Sequence, residues 1–297
     1  MDKKDNNNKR FDLELIRVVS AFGIVWFHSG ISYARDVAYS GLICFIVLSA
    51  YFASISNRKH KISKRVSRLL IPYLIWSAIY GLFNLIRGVN IFPENYSFIN
   101  ALLASTSIHL WYLPFIFFCI LAVDVTKRYY PQNLIGLFSG ITALLLIVTA
   151  SVWRSLNYMP PWGQYIHALP AFLVGVFWGC FGEIRPVFRN VLLFCIYIVL
   201  TIMLAKDLSG FSITYLVGLI PCLLLLKKES AIKKSRMIGT LSNASFGVYL
   251  VHILPLFLVQ HFGITGCMLP SISFIISIVG VIMARKFIPN IIVRYVL

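Results

Sequence analysis

FDLELIRVVSAFGIVWFHSGIS, running from Phe11 to Ser32, is the stretch from which the rest of the chain is read. It is long and apolar enough to cross a bilayer, yet it holds Arg17 and His28 inside the apolar run. Eleven residues separate them, close to three α-helical turns, so they fall on one helix face about 16 Å apart along the axis. An ionisable group at a helix centre in hydrocarbon costs on the order of 3 kcal/mol by insertion scales. Two on one stripe point to a polar pathway or site facing the protein interior. Ser20, Ala21 and Ile24 lie between them on that face. Such small or slim side chains leave room for a ligand or serve close helix packing. Each polar residue also has a plainer reading. Arg17 can snorkel while paired with Glu14, three residues earlier, and His28 can make an interhelical hydrogen bond.

The remainder of the chain fits a housing for this stripe. Of 297 residues, 59% are hydrophobic and 12% charged, and the mean hydropathy is +0.82. That composition excludes a soluble globular protein. Long continuous apolar runs, rather than alternating ones, argue for helices and against a β-barrel. The fold expected is all-α, a polytopic membrane protein of about ten transmembrane helices, over residues 11–33, 39–56, 69–87, 102–126, 134–153, 164–182, 191–206, 211–226, 242–262 and 267–288. It forms one transmembrane domain, residues 1–297, with 1–10 a polar cytoplasmic N-terminus. Lys3, Lys4, Lys9 and Arg10 resemble the basic start of a signal peptide. The apolar run is too long and Arg17 is out of place in one, so an uncleaved first span is expected.

The net charge of +17 raises the question of nucleic acid, and its placement answers it. With the N-terminus inside, the inner segments hold Lys3, Lys4, Lys9, Arg10, Arg17, Arg58, Lys59, Lys61, Lys64, Arg65 and Arg68. Further along they hold Lys127, Arg128, Arg185, Arg189, Lys227, Lys228, Lys233, Lys234, Arg236, Arg285, Lys286 and Arg294. The outer side keeps only Arg35, Arg87, Arg154 and Lys206. This is the positive-inside pattern, N-in and C-in, and no nucleic-acid partner is expected. The six cysteines fall in apolar segments or at their ends without ligand spacing, so they are read as packing residues and no metal is expected.

The other histidines gather toward the outer half. His109 opens HLWYLP, His167 and Gln164 start the sixth span, His252 is midway in the ninth and His261 near its outer end; only His60 is inner. With Arg154, these groups are expected to line an outward cavity suited to hydroxyls and carbonyls, against the plainer reading of interfacial decoration. Asn243 or Ser242 reads as the N-cap of the ninth span. On the inner side, Arg65 and Arg68 are three apart on what should be one helical face, a pair able to grip phosphates. The plainer reading of that basic loop is topology alone.

Taken together the motifs resemble the acyltransferase-3 family of integral membrane acyltransferases, through essentially the whole chain. Arg17 and His28 match its R-x10-H signature in the first helix. Phe45-Ile-Val-Leu-Ser49-Ala-Tyr51 is similar to its FFVLSGF-type second helix, with Ala50 in place of the usual glycine, a departure that bears on local packing. Arg65-Val-Ser-Arg68 matches its cytoplasmic RxxR, followed by Ile71-Pro-Tyr73. His109-Leu-Trp111-Tyr-Leu113 resembles HxWFL, and Ser245-Phe-Gly-Val-Tyr249-Leu-Val-His252 resembles its late motif ending in YLxH.

The resemblance implies an O-acyltransferase that moves an acyl group, usually acetyl, from cytoplasmic acyl-CoA to a hydroxyl of a surface polysaccharide, lipid-linked saccharide or related acceptor outside. It implies the cytoplasmic (inner) membrane, acetyl-CoA as donor substrate and no permanently bound cofactor. Many members carry a further hydrolase-like C-terminal domain; here the stand-alone membrane domain is expected. His28, with Arg17, would be catalytic, and Arg65 and Arg68 would hold the CoA phosphates. Ser49, His109, Trp111, His252 and Arg154 would form the acceptor or oxyanion pocket. The competing classes are a transporter or flippase of a lipid-linked saccharide and a structural component of a polysaccharide-export complex.

Overall fold

In hydrocarbon a run of about twenty apolar residues can satisfy its own backbone only as a helix. The computed structural model is accordingly helical, with no strand among the described residues. These are residues 10–56, 62–92, 96–181, 186–206, 208–226, 230, 232–289, 293, 295 and 296. Much of the charge pattern lies outside them, including Lys3, Lys4, Lys9, Arg58, Lys59, Lys61, Arg185, Lys227, Lys228 and Arg294, as does His60.

In chain order the α-helices are α1 (Phe11–His28), α2 (Arg35–Ile55), α3 (Ile62–Arg65), α4 (Ile71–Ile86) and α5 (Phe98–Ala104). Next come α6 (Tyr112–Tyr129), α7 (Gln132–Val148), α8 (Ala150–Arg154), α9 (Trp162–Phe181) and α10 (Pro186–Ala205). The last are α11 (Ser209–Gly218), α12 (Ile220–Leu224), α13 (Arg236–Val251), α14 (Ile253–His261) and α15 (Met268–Phe287). A π turn, Val66–Leu70, joins α3 to α4, and a 3₁₀ turn, Ile108–Trp111, leads into α6.

Six of these helical stretches are long and apolar enough to cross a membrane: Arg35–Ile55, Ile62–Ile86, Ile108–Tyr129, Trp162–Phe181, Pro186–Ala205 and Met268–Phe287. α13 and α14 together would make a seventh, bent by 69° at His252. Three of the ten expected crossings fall short of that standard. α1 carries Asp12, Glu14 and Arg17 in its 18 residues, while α7 and Gly210–Leu224 are shorter apolar helices. Large apolar side chains such as Leu74, Leu82, Phe138, Phe194 and Val279 point outward, an arrangement that lipid satisfies and water does not. The protein is a multi-pass membrane protein.

Contacts divide the chain into two compact units, Met1–Val47 with Leu200–Ile288, and Leu48–Val199 with Pro289–Leu297. In the first, α1 packs on α13, α15, α12 and α14, and α13 on α15. Glycines allow the closest approaches. A Cβ on Gly41 would sit 2.4 Å from the Ser20 carbonyl oxygen, and one on Gly23 2.6 Å from that of Ala38. Ser20 of the α1 stripe thus packs closely on Gly41 of α2. The N-terminal end of α1 is tied down by Asp12, which accepts two bonds from Arg10 (3.0 and 2.7 Å) and one from the Leu13 N–H (3.0 Å). Arg10 also donates to the Leu224 carbonyl at 2.8 Å.

In the second unit α7 lies along α9, and the π turn contacts α3, α4 and α6. Lys127 donates to the carbonyls of Ser54 and Ser56 at 2.7 and 2.9 Å, a cation at the C-terminus of α2, where the helix dipole favours it. In the first unit, α13 begins at Arg236, capped by Ser235, whose hydroxyl accepts from the Ile238 N–H at 3.3 Å. The expected cap at Ser242 or Asn243 is thus inside the helix. Ser235, beside a basic loop, reads from sequence as loop rather than cap.

Candidate active site

α1 is unbroken from Phe11 to His28, so Arg17 and His28 stay on one face with about 16 Å between their levels. They do not meet one reacting atom. Arg17 faces Glu14, Nη1 to Oε1 3.4 Å, with 32% of its side chain exposed.

His28 meets another residue instead. In the first unit its ring centroid lies 5.1 Å from that of His252, at an interplanar angle of 48°. His252 is fully buried and forms the junction of α13 and α14, so the chain turns sharply at the imidazole. Its Nδ1 lies 2.8 Å from the Tyr249 carbonyl oxygen. A carbonyl only accepts, so Nδ1 carries the proton and the neutral ring presents the lone pair of Nε2. The ring of Phe27 stands edge-on to His28 at 5.2 Å and tilted against Tyr39 at 4.5 Å, and the Arg35 guanidinium lies over Phe27 at 5.0 Å. Two imidazoles in contact, one with its tautomer set by a backbone acceptor, form an arrangement able to take and return a proton. His261, at the end of α14, is exposed.

Ser49, His109, Trp111, Arg65, Arg68 and Arg154 belong to the second unit. The Ser49 hydroxyl shares a hydrogen bond with the Tyr112 hydroxyl at 3.1 Å, next to Trp111. Trp111 is buried against Phe115 and Tyr165, with centroids 5.8 Å away in each case. His109, 2% exposed, sits in the 3₁₀ turn with Nδ1 2.9 Å from the Ser107 hydroxyl and its ring edge-on to Tyr80 at 5.1 Å. The Tyr165 hydroxyl is buried with no hydrogen-bond partner among the described residues. These residues make one aromatic and hydroxyl cluster around the start of α6.

Arg65 immediately precedes the π turn Val66–Leu70 and Arg68 lies within it, a stretch of i→i+5 bonding. Arg65 is ion-paired with Asp124 of α6, Nη2 to Oδ2 2.5 Å, the side chains being 13% and 25% exposed, and Arg68 is exposed. Asp124 escaped notice in the sequence, although a lone acid inside the apolar run 102–126 is itself a signal. Arg154 and His167 line one cavity of the second unit; His109 is buried elsewhere in that unit.

A family model described as an acyltransferase domain, acyltransferase-3, matches residues 10–284. The chain belongs to the acyltransferase-3 family. No curated protein and no solved structure matches it. The family match runs through residues of both units, so every candidate residue above lies within the acyltransferase-3 region. It is a membrane acyltransferase, and its helices carry the R-x10-H pair, the RxxR pair and the late YLxH histidine that the family resemblance singled out.

Proposed function

We propose that this acyltransferase-3 protein transfers an acyl group, acetyl in the first instance, from cytoplasmic acyl-CoA to a hydroxyl of a surface polysaccharide, lipid-linked saccharide or related acceptor on the outer side of the cytoplasmic membrane. The observation that carries the proposal is the His28–His252 imidazole pair, 5.1 Å between centroids. In this reading the two units form one transmembrane domain with about ten crossings, N-in and C-in, as the placement of basic residues indicates.

His28 acts as general base, and His252, anchored by its Nδ1–H to Tyr249, shares the charge that develops on the imidazole. The acceptor oxygen bonds to the thioester carbonyl carbon as its proton passes to the imidazole. The tetrahedral intermediate then expels CoA thiolate, and the imidazolium returns the proton to that sulfur. Acid–base assistance of this kind contributes roughly 10²–10⁴-fold. Arg68, exposed on the π turn, and Arg65, which precedes that turn, bind the CoA phosphates. Arg17, a level apart from His28, steers the pantetheine arm or serves structure through Glu14. Ser49, His109 and Trp111 orient the acceptor or support the oxyanion.

Discontinuous helices such as α13–α14 also line transporter sites, so the test must separate chemistry from transport. Purified protein in proteoliposomes with acetyl-CoA releases free CoA only when acceptor is present; a pure flippase releases none. His28→Ala lowers release at least a hundredfold. Full transfer in His28→Ala, together with loss of CoA binding in Arg65→Ala, would show that another group is the base.

A further inference from the structure

A cavity of about 490 Å³ opens in the second unit where α8 gives way to α9. This volume is within the usual range for small-ligand sites, large enough for one or two sugar rings. The residues that line it include Trp153, Arg154, Asn157, Tyr158 and His167. No acidic side chain is among the lining residues.

The wall is built rather than casual. The Trp153 indole N–H donates to the Leu146 carbonyl at 2.7 Å, which fixes the ring. Nearby in the chain, the Trp162 indole N–H donates to Oδ1 of Asn100 at 3.0 Å, and Nδ2 of the same amide reaches the Met159 sulfur at 3.9 Å. Asn100 is buried on α5, so one buried amide clamps both ends of the 159–162 turn that bounds the cavity.

We infer that this cavity binds a saccharide bearing a single negative charge, whose anionic group lies on Arg154 and whose rings lie against Trp153 and Tyr158. The chemistry of the wall carries this. A planar guanidinium pairs with a carboxylate or phosphodiester through two parallel N–H donors, and one such cation matches a monoanion. Flat aromatic faces suit the C–H faces of a sugar ring, and the Asn157 amide and His167 imidazole offer donors and acceptors for hydroxyls. The inference deepens the acyl-transfer reading by giving a charge class to the acceptor, and it rests on that reading only for the step from ligand to acceptor.

The test uses the full chain in lipid nanodiscs and follows intrinsic tryptophan fluorescence during titration. The probes are an oligosaccharide with one glucuronic acid residue, the same oligosaccharide with its carboxylate reduced to an alcohol, and a sugar phosphodiester. The acidic oligosaccharide should bind about five- to tenfold more tightly than its neutral counterpart, a modest ratio because Arg154 is exposed. Tighter binding of the phosphodiester than of the uronate assigns the anion to phosphate, and the reverse assigns it to carboxylate. Arg154→Gln should abolish the preference, Arg154→Lys should keep part of it, and Asn157→Ala should weaken charged and neutral probes alike.

Equal binding of charged and neutral oligosaccharides, or a preference that survives in Arg154→Gln, would overturn the inference. Charge-dependent binding with no acyl transfer to the bound saccharide would uphold the site and overturn the acyl-transfer reading. Transfer to that saccharide with an unchanged KM in Arg154→Gln would uphold acyl transfer and overturn the acceptor site.

Discussion

Substituting His252 by asparagine and, separately, by leucine separates its structural role from its chemical one. The side chain is fully buried at the bend between α13 and α14, and its Nδ1–H donates to Tyr249 over 2.8 Å. Asparagine places an amide N–H₂ where Nδ1 was and keeps this bond. Leucine fills the space without a donor and leaves a buried carbonyl without that partner, a loss of about 1–3 kcal/mol. Both lose the ring contact with His28, worth about 0.5–1.5 kcal/mol for a packed aromatic pair. His252→Leu should therefore be less stable than His252→Asn by about 1–3 kcal/mol. Thermal unfolding followed with a thiol-reactive fluorogenic dye reads this difference, since Cys44, Cys180 and Cys222 are buried in the folded protein. Acyl transfer should fall by about 10²–10⁴-fold in both variants, because neither retains Nε2. Equal stability losses would refute the bond to Tyr249. Full transfer by His252→Asn would refute a proton-handling role for the imidazole.

Asp124→Asn breaks a largely buried ion pair with Arg65 and should cost about 1–3 kcal/mol in unfolding experiments. If Arg65 binds the donor's phosphates, the same change leaves KM for acyl-CoA unchanged or lower, whereas Arg65→Ala raises it; equal increases would mean that the pair acts by positioning alone. Gly41→Ala puts a methyl 2.4 Å from the Ser20 carbonyl oxygen and should cost about 1–3 kcal/mol as α1 and α2 separate. Gly280→Ala, with no atom within 4 Å of the new Cβ, should be neutral or stabilising by up to about 1 kcal/mol; paired melting curves compare the two. Asp12→Asn weakens the paired bonds from Arg10 and should lower the melting temperature.

Several parts of the site could be read along the chain, and others could not, for identifiable reasons. Arg17 and His28 sharing a face follows from helical period alone, and α1 keeps that period throughout. The π turn Val66–Leu70 is not legible in the sequence, since no residue type in VSRLL announces a break in the α-helical count. His252 reads from the sequence as midway in the ninth span, and the break of the helix at that residue is seen only in the structure. Pro255 lies three residues beyond the break in a run otherwise as apolar as an unbroken crossing.

What the sequence by itself determined is the class: an all-helical, multi-pass membrane protein, with family motifs in order along it. Apolar run length and motif order are one-dimensional properties, and the bilayer's thickness converts the first directly into helices. Only the tertiary structure decided which polar groups meet. His28 could have faced any of the later histidines, yet it is His252 that α1–α13 packing brings against it. Arg65 could have been an unpaired basic residue, yet α6 sets Asp124 upon it. In a chain whose helices are nearly all apolar, the pairing of polar side chains depends on helix rotation and neighbour choice. Those are fixed by close contacts such as Gly41 on Ser20 and Gly247 on Val281, between residues that nothing in their local sequence connects.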